Sequence, residues 1–189
     1  MASAKVRPGV PAPVAVMLHG AGGDAEQGLG LLAPFASDAG WIVLAPASTA
    51  YTWDAIIDGL GPDVAQIDAG LRWIFERYDV APAQIAVGGF SDGASYALTI
   101  GLAHGDLFRH VIALSPGFFA AVEPSGKPRL FIAHGTHDTV LPIDRCSRRI
   151  VPQLEGAGYD IVYREFVGGH EVRPQIVREA VGWAALGAP

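Results

Sequence analysis

The feature that most constrains the fold of this chain is an alternation between short apolar runs and longer segments of helical period. The short runs are rich in Val, Ile and Leu. The first five are almost continuously apolar, which is typical of strands buried on both faces of a parallel sheet. The sixth alternates more, so we expect it nearer an edge. The six predicted strands are residues 14–18, 41–45, 85–88, 111–114, 130–133 and 161–166.

Five segments between and after these strands carry apolar residues at spacings of three and four, as amphipathic helices do. Val64, Ile67, Leu71 and Ile74 show this pattern in one of them. Strands that alternate with helices predict an α/β fold, with a mostly parallel sheet of about six strands and helices on both faces. The predicted helices are residues 26–39, 63–78, 94–104, 144–156 and 173–186.

Composition limits the number of domains and the kinds of partner. The chain has 189 residues, of which 50% are hydrophobic and 17% charged, and no linker or repeat is visible, so we predict a single domain over residues 1–189. The net charge of -6 without basic clusters argues against nucleic acid as a partner. With one cysteine, no signal peptide and no apolar run near the roughly 20 residues of a membrane span, we expect a cytoplasmic protein without such a span. A homodimer stays open.

Residues 89–93 read Gly-Phe-Ser-Asp-Gly between a predicted strand and a predicted helix. G-x-S-x-G in this context is the pattern of a nucleophile elbow, a sharp turn that holds a serine out toward substrate. Small residues on either side allow the backbone to turn tightly. Ser91 is therefore the candidate nucleophile, and the alternative is a serine that only caps the following helix.

A serine hydroxyl needs a base within hydrogen-bond reach and a third group that orients the base. Asp138 follows the fifth predicted strand and His170 follows the sixth. The three residues thus occur in the chain order Ser, Asp, His, which is the order found in α/β folds that carry a nucleophile elbow. All three candidates lie at carboxyl ends of strands, where open α/β sheets place their ligands. The competing groups are His137, on the same loop as the acid, His134, at the end of a buried strand, and Asp144.

The glycine-rich residues 19–23, His-Gly-Ala-Gly-Gly, follow the first predicted strand. Glycines let the backbone approach a ligand closely, so the N–H of Ala21 could pair with that of Asp92, the residue after the nucleophile, to form an oxyanion hole. A nucleotide phosphate loop is excluded because no Gly-Lys-Ser/Thr follows.

The chain resembles the phospholipase/carboxylesterase branch of the α/β hydrolases, which contains bacterial carboxylesterases and acyl-protein thioesterases. Four segments carry the resemblance: residues 18–24, 89–93, 134–142 and 168–171. It implies that Ser91 is acylated, His170 acts as base and then acid, Asp138 orients His170, and Ala21 with Asp92 stabilises the oxyanion. It also implies that residues 51–54 line the substrate pocket. The candidate substrate-binding residues are Tyr51, Trp53 and Leu141, with ordinary packing as the alternative for Trp53.

The chain also departs from the family pattern. Few residues precede the first predicted strand, so we expect the leading antiparallel strands of larger hydrolases to be minimal. No insertion is long enough for a lid, which predicts an open site and a preference for short acyl chains. Family elbows often read Gly-Phe-Ser-Gln-Gly, and Asp92 replaces the glutamine, which puts specificity for long-chain thioesters in doubt.

The function expected from these residues is hydrolysis of carboxylic esters with small to medium acyl groups, with no metal and no cofactor. Acyl thioesterase or lysophospholipase-like activity is the alternative within the same mechanism. A dienelactone-hydrolase-like enzyme would use cysteine where this chain has Ser91, and Cys146 lies elsewhere. A catalytically inactive binding module with the hydrolase fold is the alternative outside enzymology.

Overall fold

The computed structural model describes residues 2–3, 6, 9–36, 39–57 and 61–185. The strands are β1 (Ala2–Ser3), β2 (Ala12–Leu18), β3 (Ile42–Leu44), β4 (Val80–Phe90), β5 (His110–Leu114), β6 (Arg129–Gly135) and β7 (Ile161–Phe166). They form one seven-stranded sheet in the order β1-β3-β2-β4-β5-β6-β7. Strands β2 to β7 are parallel, and β1 pairs antiparallel with β3 at one edge.

Helices cover both faces of the sheet. They are α1 (Ala25–Ala36), α2 (Asp54–Ile57), α3 (Pro62–Phe75), α4 (Asp92–Ala103), α5 (Ser147–Gly156) and α6 (Pro174–Ala185). Helices α3, α4 and α5 share one apolar core with the sheet, and α1 and α6 share the other. Successive residues of β2 alternate between the two cores, as the two-residue period of a strand requires: Val14 and Val16 face the first, and Ala15 and Met17 the second. Within the described residues, no helix combines the length and apolar character needed to cross a bilayer.

The predicted α/β fold and its six parallel strands are confirmed, and β7 lies at an edge as its alternating pattern indicates. Helix α5 begins later than expected, because the predicted start at Asp144 falls in a 3₁₀ turn, Ile143–Arg145. The two-residue antiparallel β1 agrees with the expectation of minimal leading strands, although its position was not predicted. The four-residue α2 was not predicted, since so short a helix carries no periodic pattern. Residues 37–38 and 186 of the predicted helices lie outside the described residues.

The order of the strands creates the crevice in which a site can form. From β2 the chain passes to β3 on one side, then returns past β2 and continues from β4 to β7 on the other side. The segments that follow the neighbouring strands β2 and β4 therefore leave the sheet in opposite directions. Open α/β sheets bind ligands at this reversal, outside the carboxyl ends of the strands.

At the opposite end of the sheet, His110 begins β5 and is fully buried. Its ring packs edge-on against Trp183, with 5.1 Å between the ring centroids. In the part of the chain that the structure describes, neither ring nitrogen of His110 has a hydrogen-bond partner. Burial, assisted by the positive charge of Arg129, lowers the pKa of His110 to about 4. This histidine is therefore neutral in the folded protein at physiological pH.

We predict that His110 makes stability depend on pH between its unfolded pKa of about 6.5 and its folded pKa of about 4. In this window the unfolded chain binds a proton that the folded chain does not, so stability falls as pH falls, by about 3 kcal/mol in total. His110→Phe should remove this part of the slope when the free energy of unfolding by urea is measured at several pH values. His104→Asn, which removes an exposed imidazole, serves as the control. Equal slopes in wild type and His110→Phe would contradict the assignment.

Candidate active site

Ser91 occupies the sharp turn between β4 and α4, with φ of 58° and ψ of −121°. A non-glycine residue at such a φ costs on the order of 1–3 kcal/mol and persists only where surrounding contacts hold it. Here the N–H of Ser91 donates to the carbonyl of Leu114 at 2.9 Å, and its carbonyl accepts the N–H groups of Ala94 and Ser95 at 3.0 Å each. The Ser91 side chain makes no cap hydrogen bond to α4, so its hydroxyl is available for another partner.

The glycines of the elbow are required by backbone packing. A Cβ on Gly93 would lie 2.3 Å from the carbonyl oxygen of Leu18 and 2.4 Å from that of His19. A Cβ on Gly89 would lie 2.5 Å from the carbonyl of Gly93 and 2.7 Å from that of Leu18. The elbow therefore packs directly against the end of β2. This contact sets the distance between Ser91 and the glycine-rich loop that follows β2.

The structure brings Ser91, Asp138 and His170 together from the ends of three strands. His170 Nε2 lies 2.9 Å from Ser91 Oγ, and His170 Nδ1 lies 2.6 Å from Asp138 Oδ2. A carboxylate accepts hydrogen bonds, so Nδ1 carries the proton of the neutral ring and Nε2 can accept the Ser91 hydroxyl. The histidine is thus oriented as a base toward the serine.

Asp138 is held as a carboxylate by its surroundings. Its side chain is fully buried, and Oδ1 accepts the N–H groups of Val140 and Leu141 at 2.9 and 2.8 Å. Burial alone would raise the pKa of Asp138, but the hydrogen bonds from His170, Leu141 and Val140 together bring it below its usual value. Asp138 is therefore ionised at neutral pH.

The competing candidates from the sequence lie elsewhere. The Asp144 carboxylate is exposed and pairs with Arg148 at 2.8 Å. The His137 side chain is exposed, and its backbone N–H donates to Gly168, which joins the loops that carry Asp138 and His170. His134 is fully buried and contacts Asp138, so it cannot act as the base for Ser91.

The candidate oxyanion donors come from two segments near Ser91: Asp92 follows it in the chain, and Ala21 follows Gly20, where an added Cβ would lie 3.4 Å from Ser91 Cβ. Within the described residues, neither the N–H of Ala21 nor that of Asp92 makes a hydrogen bond, so both are free to donate to a ligand. The N–H of Gly22 donates to the carbonyl of Tyr51 at 2.7 Å, which ties the glycine-rich loop to the segment after β3. The hydroxyl of Thr52, on that same segment, donates to Asp92 Oδ2 at 2.8 Å. One segment therefore supports both candidate donors.

The three predicted substrate-binding residues differ in their surroundings. For Trp53 the structure supports the alternative of ordinary packing over pocket lining: its side chain is fully buried, stacks on Tyr96 and donates to the carbonyl of His19 at 2.9 Å. Tyr51 is 75% exposed beside Gly22, and Leu141 is half-buried next to Gly117, so both remain candidates.

Sequence reasoning missed two neighbours of the catalytic candidates. Thr52 contacts Asp92 from 40 positions away, and the ring of Phe90 packs on His170 with 4.6 Å between centroids. Phe90 was within the recognised motif, but nothing in the pattern specifies the direction of its side chain. No local signal links Thr52 to Asp92.

The sheet order, the strained serine turn and the residues that converge on it define an α/β hydrolase. Solved structures agree with this fold: esterase PE8 has a TM-score of 0.77 at 24% identity and covers 99% of both chains. Arabidopsis thaliana SOBER1 has a TM-score of 0.75 at 16% identity, over 92% of this chain and 97% of that one. At these identities the likeness concerns the fold alone.

The family profile described as "Putative esterase" matches residues 71–171, more than half of the chain, and the protein belongs to this family. Acyl-protein thioesterase 1 of Gibberella zeae is 28% identical over 110 residues, which is 53% of this chain and 46% of that protein. "Putative esterase NocK" of Nocardia uniformis is 33% identical over 158 residues, which is 74% of this chain and 45% of that protein. The chain thus spans less than half the length of these two curated relatives.

We predict that Gly93→Ala destabilises the protein by about 2 kcal/mol or more, because the added methyl group collides with two backbone carbonyls that cannot move independently. Gly182→Ala in α6 is the matched control, since nothing lies within 4 Å of its Cβ position. It should be neutral or stabilise by about 0.5–1 kcal/mol. Urea unfolding of both variants measures the difference, and equal stabilities would disprove the contact.

Proposed function

We propose that the protein hydrolyses carboxylic esters of small to medium acyl groups through an acyl-enzyme on Ser91. The observation that carries this proposal is the continuous chain of contacts from Asp138 through His170 to Ser91, at 2.6 and 2.9 Å. A serine on a strained turn, a base oriented by a buried carboxylate and two free N–H groups are the parts that acyl transfer requires. Membership of the esterase family supports the same reaction class.

In the proposed mechanism, Ser91 Oγ attacks the carbonyl carbon of the ester while His170 Nε2 takes the hydroxyl proton. The negative charge that develops on the carbonyl oxygen is stabilised by the N–H groups of Ala21 and Asp92. Asp138 stabilises the positive charge of His170 without taking its proton. The C–O bond then breaks, and His170 gives its proton to the leaving alcohol.

Deacylation repeats these steps with water as the nucleophile. His170 accepts a proton from water, the resulting hydroxide adds to the acyl carbon, and Ser91 leaves as the alcohol after it regains the proton from His170. The reaction needs His170 to be neutral and Asp138 to be ionised, and the depressed pKa of Asp138 meets the second requirement down to acidic pH.

Thioester hydrolysis would use the same steps with a thiol as leaving group, and one relative is named as an acyl-protein thioesterase. The dienelactone-hydrolase alternative is less well supported, because Cys146 is buried and its thiol has a raised pKa. The binding-module alternative would require that three groups within hydrogen-bond distance have no chemical role.

Ser91→Ala should abolish turnover of p-nitrophenyl butyrate and labelling by a fluorophosphonate probe, because both require the Ser91 oxygen as nucleophile. We expect a loss of at least about 10³-fold in kcat, in line with removal of a triad member. Ser125→Ala is the control: its hydroxyl contacts Asp106, away from the site, and both activities should persist. Turnover that survives in Ser91→Ala would contradict the assignment.

The acyl-chain preference follows from the apolar side chains on the loops at this edge of the sheet. Tyr51, Phe118, Val140 and Val167 are 75%, 41%, 64% and 72% exposed. A surface of this kind buries only the first few methylenes of an acyl chain, each worth about 0.8 kcal/mol when fully buried. We therefore expect kcat/KM to rise from acetyl to butyryl esters and not to rise further to palmitoyl.

A series of p-nitrophenyl esters, with the Ser91→Ala rate subtracted at each length, measures this preference. A palmitoyl ester that reacts tenfold faster than the butyryl ester would overturn it. The same acyl series as thioesters separates the two leaving-group classes, since a thioesterase should favour the sulfur series at every chain length.

A further inference from the structure

The carboxylate of Asp138 contacts two histidines. Its Oδ2 lies 2.6 Å from Nδ1 of His170 and 3.1 Å from Nε2 of His134. The side chains of His134 and Asp138 are both fully buried. The proposed mechanism uses His170 and leaves the second histidine without a role.

The hydrogen-bond partners of His134 determine its tautomer. Its Nε2 lies 2.8 Å from the carbonyl oxygen of Leu141, which can only accept, so Nε2 carries the proton. That N–H is shared between Leu141 and Asp138 Oδ2. Its Nδ1 then accepts the hydroxyl of Ser147 at 2.7 Å, and Ser147 is also fully buried. The ring is thus held in one orientation and one neutral form.

Burial is the largest influence on His134 and lowers its pKa, although the bonds to Leu141 and Asp138 act in the opposite direction. A neutral ring agrees with the tautomer that the contacts require. His134 therefore provides Asp138 with an N–H donor that does not change with pH over the range in which an esterase would be assayed.

We propose that His134, oriented by Ser147, is a positioning residue that fixes the Asp138 carboxylate and limits its attraction for the Nδ1 proton of His170. This rests on the proposed function. Val140 and Leu141 occupy Oδ1, so His134 and His170 share Oδ2. A second donor draws negative charge away from the bond to His170. Without it, Oδ2 would stabilise the protonated form of His170 more strongly, and the serine would lose its base at a higher pH.

Two acidic groups near His134 and Asp138, the thiol of Cys146 and the carboxyl of Glu165, keep a constant charge between about pH 6 and pH 8. Cys146 faces Asp138, and burial raises the pKa of its thiol. Glu165 on β7 lies opposite His134 on β6 in the strand register. The ion pair of Glu165 with Arg148, at 2.7 Å, lowers the pKa of the Glu165 carboxyl. His137, with an exposed side chain on the loop that carries Asp138, is a third histidine near the site. Its signal is therefore assigned separately with His137→Gln before a change is attributed to His170.

The experiment measures the titration of His170 by NMR in protein labelled with ¹⁵N-histidine, with His170→Gln to assign its signal. His134→Leu keeps a similar volume but removes the donor, and we expect it to raise the pKa of His170 by about half a unit or more. His134→Gln places an amide donor near the Nε2 position and should restore most of the wild-type value. Ser147→Ala should shift the pKa in the same direction by a smaller amount, and it provides a second variant if His134→Leu does not fold.

Hydrolysis of p-nitrophenyl butyrate gives an independent readout. The acidic limb of kcat/KM should move to higher pH in His134→Leu, with kcat reduced more than KM is raised, after normalisation to sites titrated by the fluorophosphonate. A role limited to packing would lower the melting temperature and leave the His170 pKa within about 0.2 units in every variant, which would overturn the proposal. If wild type does not hydrolyse esters, the proposed function fails, whereas the NMR titration still decides the role of His134.

Discussion

The structure depends on the close contact between the elbow of β4 and the end of β2. Gly89 and Gly93 approach the carbonyls of Leu18 and His19 so closely that no side chain fits between them. Because β2 and β4 are neighbours at the reversal of strand order, this contact presents the serine and the glycine-rich loop on the same crevice. Hydrogen bonds to β5 and α4 hold Ser91 in its strained backbone conformation, so the core of the sheet fixes the position of its hydroxyl.

The second organising element is the buried carboxylate of Asp138. A buried charge is tolerated only where hydrogen bonds replace the water it has lost, and Asp138 receives two backbone N–H groups and two imidazoles. Leu141 takes part twice, since its N–H donates to Asp138 while its carbonyl accepts from His134. These hydrogen bonds connect the two ends of the loop after β6, and they hold Asp138 Oδ2 in the direction of His170.

The fold and the family define the class of reaction more closely than they define the substrate. The loops at the carboxyl edge carry exposed apolar side chains, and such loops vary between relatives that share one sheet. The hydrogen bond between Thr52 and Asp92 connects the segment after β3 with the elbow, so a change in that segment would affect both candidate oxyanion donors. The segment after β3 is thus tied by hydrogen bonds both to the elbow and to the glycine-rich loop.

The sequence by itself determined the six parallel strands, the main helices and the elbow, because each follows from a local pattern: apolar runs, helical spacing, and glycines around a serine. It also gave the order Ser, Asp, His, but it left three histidines as candidates for the base. Only the tertiary structure shows which of them contacts the serine: His170 lies beside Ser91, 79 positions away in the chain, whereas His134 contacts Asp138. The burial of Trp53 and the bond from Thr52 to Asp92 were likewise decided by the structure. Local patterns specify which element forms, whereas contacts between loops depend on the register and order of strands that are distant in the chain.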